Sequence, residues 1–194
     1  MSQDAIRLVP PLTVDDVARL HAGDPVRIDG TIYVARDAAH KRLIATLEAG
    51  ETLPFDPTGQ VIYYMGPSPA RPGRPIGSAG PTTSYRMDPY TEPLLQAGVK
   101  ALIGKGGRGA DVQRALCEHR AVYMIAVGGA GALLAQAIRE AQVIAYPDLG
   151  PEAVRKLQIV DFPVTVGYDI YGNDIYQIGR EEYRRPDSKS LRGA

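Results

Sequence analysis

The 194-residue sequence predicts an α/β fold with mixed sheets. Two observations carry that expectation. Across residues 101–145, strand and helix patterns alternate, as they do in parallel βαβ units with right-handed crossovers. Near each end of the chain, glycine-containing turns separate short apolar runs, which favours additional antiparallel pairs. A chain of this length has material for one substantial core, so residues 1–180 are read as a single domain followed by a polar tail, 181–194.

Thr13, followed by Asp15 and Asp16 and then Val17 and Leu20, predicts a short capped helix. Residues 25–29 and 31–35 meet at Asp29-Gly30 with period-two alternation and predict a hairpin, with Arg36 at a strand end. Ala38, Ala39, Leu43, Ile44 and Leu47 recur at helical spacing and stop before Gly50, so residues 37–49 are expected to be a helix that contains His40. Residues 61–65 read as a buried strand entering a proline- and glycine-rich loop of about 15 residues, long enough to be functional rather than idle.

A helix is expected to begin near Pro81, and residues 87–96 to be helical despite Pro89 and Pro93. Beyond it the patterns predict a strand at 101–104, a helix at 110–119, a strand at 121–127, a helix at 130–140 and a strand at 142–145. Residues 164–168 and 175–178 flank Gly172-Asn173-Asp174 and predict a C-terminal hairpin.

Lys plus Arg and Asp plus Glu both number 22, so no global basic field points to nucleic acid or an anionic membrane. The single Cys117 cannot form an internal disulfide, which fits a reducing, cytoplasmic location. Neither a signal-peptide pattern nor a long apolar run is present, so the chain is expected neither to enter nor to span a membrane. The glycines and prolines are concentrated in residues 54–109, marking loops around a site.

The chemistry is expected in G-S-A-G-P-T-T-S-Y-R-M-D, residues 77–88, where glycines permit close approach of a ligand and a helix start offers free N–H groups to an anion. With a helix from Pro81, Thr82 and Arg86 would stand on one face, and a guanidinium fork fits a carboxylate in two bonds. Arg36 reads by pattern either as an anion ligand or as an exposed arginine paired with Asp37 or Glu48. Thr82 reads either as a reactive hydroxyl or as a cap, with Thr83 and Ser84 as neighbouring alternatives. Lys105 lies in the glycine-rich I-G-K-G-G-R-G, without the spacing of a nucleotide phosphate loop, and Arg108 in the same loop is read as solvated. His40 could act as an acid or base, although a helix histidine is more often packed or exposed. Asp88, Asp169 and Asp174 read as capping or turn residues, not as a metal site. Cys117 reads as a core residue, and Gly128-Gly129-Ala130-Gly131 as close packing of helix on strand.

R-D-A-A-H-K-R at 36–42, Y-Y-M-G-P-S-P at 63–69, G-S-A-G-P-T-T-S-Y-R-M-D, I-G-K-G at 103–106, G-G-A-G-A-L-L at 128–134, and D-F-P-V and Y-G-N-D-I-Y further on occur in that order. Over roughly residues 11–178, the chain resembles the β subunit, or C-terminal domain, of class I iron-sulfur hydro-lyases, the class I fumarases and L-tartrate dehydratases. The resemblance implies a swivelling β/β/α-type fold and reversible hydration of a small dicarboxylate, with fumarate and malate first and tartrate second. It implies Arg36, Arg86 and Lys105 as substrate-clamping cations and Thr82 as the base at carbon. It also implies a 4Fe-4S cluster, for which this chain lacks the cysteines, so a cluster-bearing α subunit is expected in an α2β2 assembly. A carboxylate-binding module without catalysis is the alternative of a different class.

Overall fold

The computed structural model of the chain describes residues 4–184. Its sheet closes on itself. β2 (Pro25–Val34), β3 (Val61–Tyr63), β4 (Ala101–Gly104) and β5 (Val122–Ile125) pair in parallel, each with the next. β7 (Val154–Tyr168) runs antiparallel to β5 on one side and to β2 on the other, completing a five-stranded mixed barrel. β1 (Ile6–Leu8) lies outside it, parallel to β2, and β6 (Ile138–Ala145) is antiparallel to β7.

Along the parallel strands, successive side chains enter two different cores, because the pleat points them to opposite faces. Val61, Tyr63, Met65, Ala101, Ile103, Val122 and Met124 join the cluster that includes Ile28, Ile32, Leu157 and Phe162. Their alternates Ile62, Tyr64, Leu102 and Tyr123 join a second cluster with Leu43, Leu94 and Leu116. Those last three belong to α2 (Asp37–Glu48), α3 (Asp88–Gln96) and α4 (Ala110–Glu118), which cover the outer face of the barrel. Burial on both faces is why these strands read as unbroken apolar runs.

The remaining helices are short. α1 (Val14–Ala18) starts with a capping box, in which Thr13 Oγ1 accepts from Asp16 N–H and Asp16 Oδ2 from Thr13 N–H. α5 (Gly131–Gln136) and α6 (Ile175–Glu182) complete the set, α6 capped by Asp174. No described helix is long and apolar enough to cross a membrane.

Several expectations are corrected. Residues 25–34 form one strand, not a hairpin: Gly30, at φ +95°, absorbs a register shift against β7 as a bulge and the chain continues without reversing. No hairpin forms at the C-terminus either, because Asp169 gathers the backbone N–H groups of Tyr171 and Asn173, and Asp174 then starts α6. The expected strand at 164–168 is the end of the 15-residue β7, and the helix expected at 130–140 stops at Gln136 because Ile138 enters β6. No helix begins at Pro81, which is bridged to Met65; a 3₁₀ turn, Ser84–Met87, leads into α3 instead. The tail expected from residue 181 starts inside α6, and its residues 185–194 lie outside the described residues.

Candidate functional site

Parallel strands present their carboxyl ends on one rim, and in open α/β sheets ligands bind beside that rim. In this barrel Arg36 lies two residues beyond β2, Tyr64 directly follows β3, and Lys105 directly follows β4. The segment from Pro81 to Ser84 is threaded between the last two. Tyr64 O accepts from Thr82 N–H at 2.7 Å, Thr82 O from Lys105 N–H at 3.2 Å, and Lys105 O from Ser84 N–H at 2.9 Å.

Thr82 is therefore fixed through its backbone on both sides, while its hydroxyl has no hydrogen-bond partner among the described residues. Ser84 differs: it is fully buried, with Oγ 2.9 Å from Tyr123 OH, so it serves the packing. Thr82 and Arg86 are not on one helical face as expected, because the helical turn begins at Ser84.

Arg36 and Arg86 are nonetheless brought together, by a carboxylate. Asp37 Oδ2 lies 3.1 Å from Arg36 Nε and Asp37 Oδ1 lies 3.2 Å from Arg86 Nε. Glu152 adds a second acid, 3.4 Å from Arg36 Nη2, and its other oxygen accepts from Ala38 N–H at 2.8 Å in the first turn of α2. Gly66 makes room for Arg36, since a Cβ there would stand 2.6 Å from Nη1. The Arg36 side chain is 23% exposed and that of Arg86 41%, so both keep a side open to a ligand. Lys105 passes Gly128, whose Cβ would meet the lysine Cδ at 3.4 Å, and its ammonium has no carboxylate partner among the described residues. Two arginines thus share two carboxylates, and Lys105, directly after β4, adds a positive charge with no carboxylate beside it among the described residues, an excess suited to an anion.

Arg108 overturns the expectation of a solvated residue. Its side chain is fully buried, with Nε donating to Asp88 Oδ1 and Nη2 to Thr91 Oγ1, both at 2.6 Å, and its guanidinium lies over the rings of Tyr64 and Tyr123. Burial opposes its charge, but Tyr64 and Asp88 outweigh that and raise its pKa. His40 is also buried; desolvation lowers its pKa to about 4, so it is neutral and placed beneath the rim instead of on it. The sequence reading missed Glu152 and Gly66. Glu152 has no local signal, since it lies 114 residues from the Ala38 amide it caps; Gly66 lies in the Y-Y-M-G-P-S-P motif, but nothing local ties it to Arg36.

A cleft of about 500 Å³ between loop 68–78 and the α5–β6 junction is lined by Arg71, Arg74, Ser78, Gln136 and Arg139 among others, and by none of Arg36, Thr82, Arg86 or Lys105. Those four stand outside that cleft, on the rim at the carboxyl ends of the parallel strands.

Comparison with known proteins gives this geometry a context. The family model described as the fumarase C-terminus matches residues 2–179. A Methanocaldococcus jannaschii protein provisionally named L(+)-tartrate dehydratase subunit beta is 37% identical over 181 residues, covering 90% of this chain and 93% of that protein. The anaerobic class I fumarate hydratase of Escherichia coli is 42% identical over 153 residues, covering 77% of this chain and 28% of that enzyme. Mitochondrial fumarate hydratase 1 of Leishmania major is 40% identical over 160 residues, 79% of this chain and 29% of that enzyme. The chain therefore spans less than a third of the length of these two fumarate hydratases.

Proposed function

The chain belongs to the fumarase C-terminus family, and from that premise we propose that it is the dicarboxylate-clamping β part of a hydro-lyase that reversibly hydrates fumarate to malate. What carries the reading is the rim: Arg36 and Arg86 joined through Asp37, with Lys105 at the end of β4 and the unpartnered Thr82 hydroxyl on the segment threaded between β3 and β4.

A dicarboxylate brings two negative charges that must be neutralised before a proton can leave the carbon beside one of them. Arg36 and Arg86 offer forks for a carboxylate, which takes over from Asp37 as their acceptor, while Lys105 supplies a compact positive charge where negative charge develops. Holding the substrate at both ends fixes its middle carbons, which converts proton transfer into an intramolecular step. Thr82 is the residue assigned to that transfer, as its Oγ1 is uncommitted and its backbone held on both sides. An alcohol acts as a base only when its own proton has somewhere to go, so a carboxylate or a polarised water completes the step.

Hydro-lyases of this class use a 4Fe-4S cluster, which supplies a Lewis-acid site for the leaving hydroxyl. The residues here do not fit that cluster. Cys117 is the sole cysteine, half-buried on α4 with burial raising its pKa. The cluster of Glu92, Glu118 and His119 offers oxygen and nitrogen donors, not thiolates. We assign the cluster to a separate α chain in an α2β2 assembly, with the open rim as this chain's half of the shared site. L-tartrate is the second substrate reading, favoured by the relative that matches over nearly its whole length.

The test is reconstitution. The chain alone is expected to be colourless and inactive, and anaerobic assembly with a cysteine-bearing partner is expected to yield hydratase activity that is greater on fumarate and malate than on tartrate. Activity from the iron-free chain by itself would overturn the division of labour, and a preference for tartrate would select the second substrate.

A further inference from the structure

Three polar atoms buried in the helix layer have no hydrogen-bond partner among the described residues: His40 Nε2, Tyr64 OH and Arg108 Nη1. The side chains of His40 and Arg108 both pack against Tyr64. The His40 ring stands edge-on to Tyr64 with centroids 5.2 Å apart, and the Arg108 guanidinium carbon lies 5.4 Å from the centre of the same Tyr64 ring. Orphaned buried polar atoms are rare, and three around one aromatic ring call for a common partner.

Their chemistry is complementary. His40 Nδ1 lies 3.1 Å from Arg36 O, and a carbonyl can only accept, so Nδ1 carries the proton and Nε2 presents a lone pair. Arg108 Nη1 can only donate, and Tyr64 OH can do either. A water that accepts from Arg108 and Tyr64 and donates to His40 satisfies all three, within the two to four partners that internal waters take.

We infer that His40, Tyr64 and Arg108 enclose a shared hydration site, and that through it His40 is a positioning residue for Arg36. The water donates to Nε2, which keeps the proton on Nδ1 and so maintains the bond to the Arg36 carbonyl. Arg36 caps α2, while Arg108 sits three residues beyond Lys105 and is pinned to α3 through Asp88 and Thr91. The hydration site therefore ties together, from below, the two segments that carry Arg36 and Lys105. The positioning role rests on the substrate-clamping role proposed for Arg36; the hydration site does not.

Two measurements on the full chain test the site without reference to activity. Nitrogen-15 NMR of labelled histidine should show His40 with a protonated Nδ1 and an acceptor-type Nε2 at neutral pH, and a crystal structure that resolves waters should place one within hydrogen-bond distance of all three atoms. The Nε2–H tautomer, or density with no water between them, would overturn the inference. Kinetics of the enzyme assembled with its partner test the positioning role. His40→Asn keeps an amide donor for the Arg36 carbonyl and should stay within about threefold of the parent in KM, whereas His40→Phe, apolar and without a donor, should raise KM by about tenfold with a smaller change in kcat. Equal effects of the two substitutions would reduce His40 to packing. Unchanged kinetics in Arg36→Ala would instead sink the clamping role of Arg36 and leave the hydration site standing.

Discussion

Lys105 and Arg108 lie three residues apart in one glycine-rich loop, yet the fold treats them in opposite ways. Arg108 turns inward and spends its charge on Asp88, Thr91 and two aromatic faces, with none of its side chain exposed. Lys105 stays on the rim beside Gly128, with no carboxylate partner among the described residues. Arg36 and Arg86 sit between these extremes, held loosely by Asp37 and still open on one side. A cation fully consumed by the fold cannot clamp a ligand, whereas one held by a half-exposed carboxylate can exchange it for a substrate's.

The largest expected effect breaks the inner half of this contrast. Arg108→Met leaves Asp88 without its buried partner and should cost about 3–5 kcal/mol, whereas Lys105→Met should change stability by less than about 0.5 kcal/mol, as read from denaturant midpoints. Equal destabilisation by the two would dissolve the distinction.

On the rim, Thr82→Ala should leave the fold and substrate binding intact but lower kcat by roughly 10² to 10⁴, with Thr83→Ala milder. Exchange of solvent deuterium into substrate reports the assigned proton transfer directly. If it continued at the parent rate in Thr82→Ala, another group would be the base.

The buried layer should also reveal itself through pH. His40 has a folded pKa of about 4 against an ordinary 6.5, because burial disfavours its charged form, with Arg108 adding to the effect and the Arg36 carbonyl and Asp37 opposing it. Between those values the unfolded chain binds a proton that the folded chain refuses, so stability should be level above pH 6.5 and fall by on the order of 3 kcal/mol as the pH drops to 4. His40→Asn should flatten that slope; an unchanged slope would locate the titration elsewhere.

The smallest effect concerns fork against point charge. Arg86→Lys should lower kcat/KM by at least about tenfold, roughly 1.4 kcal/mol, without loss of stability. Full activity with lysine would mean that Arg86 contributes charge alone, or nothing.

Much of the fold was legible because its signals are local. Thr13 and Asp16 announced a capped helix, the spacing of Ala39 and Leu43 announced α2, and the apolar runs before Gly66 and Lys105 announced β3 and β4. The misreadings also share a cause. Gly30 and Gly172-Asn173-Asp174 read by sequence as reversals, but the same residues serve bulges and helix caps, and only the pairing of distant strands selects among those uses.

The candidate site divides along the same line. Residue chemistry pointed to Thr82 and Arg86 in a glycine-rich stretch, and the family resemblance added Arg36 and Lys105 as clamping cations. Neither foresaw that Arg108 would be buried, nor that Glu152 would cap α2 beside Arg36. Those outcomes follow from β7, which closes the barrel by pairing with β2 and β5 and so fixes where the segment carrying Glu152 meets α2. Caps, periodicities and charges act over a few residues and are written in order along the chain. Burial and partnership depend on which distant segments share a surface, and that is decided only when the sheet closes.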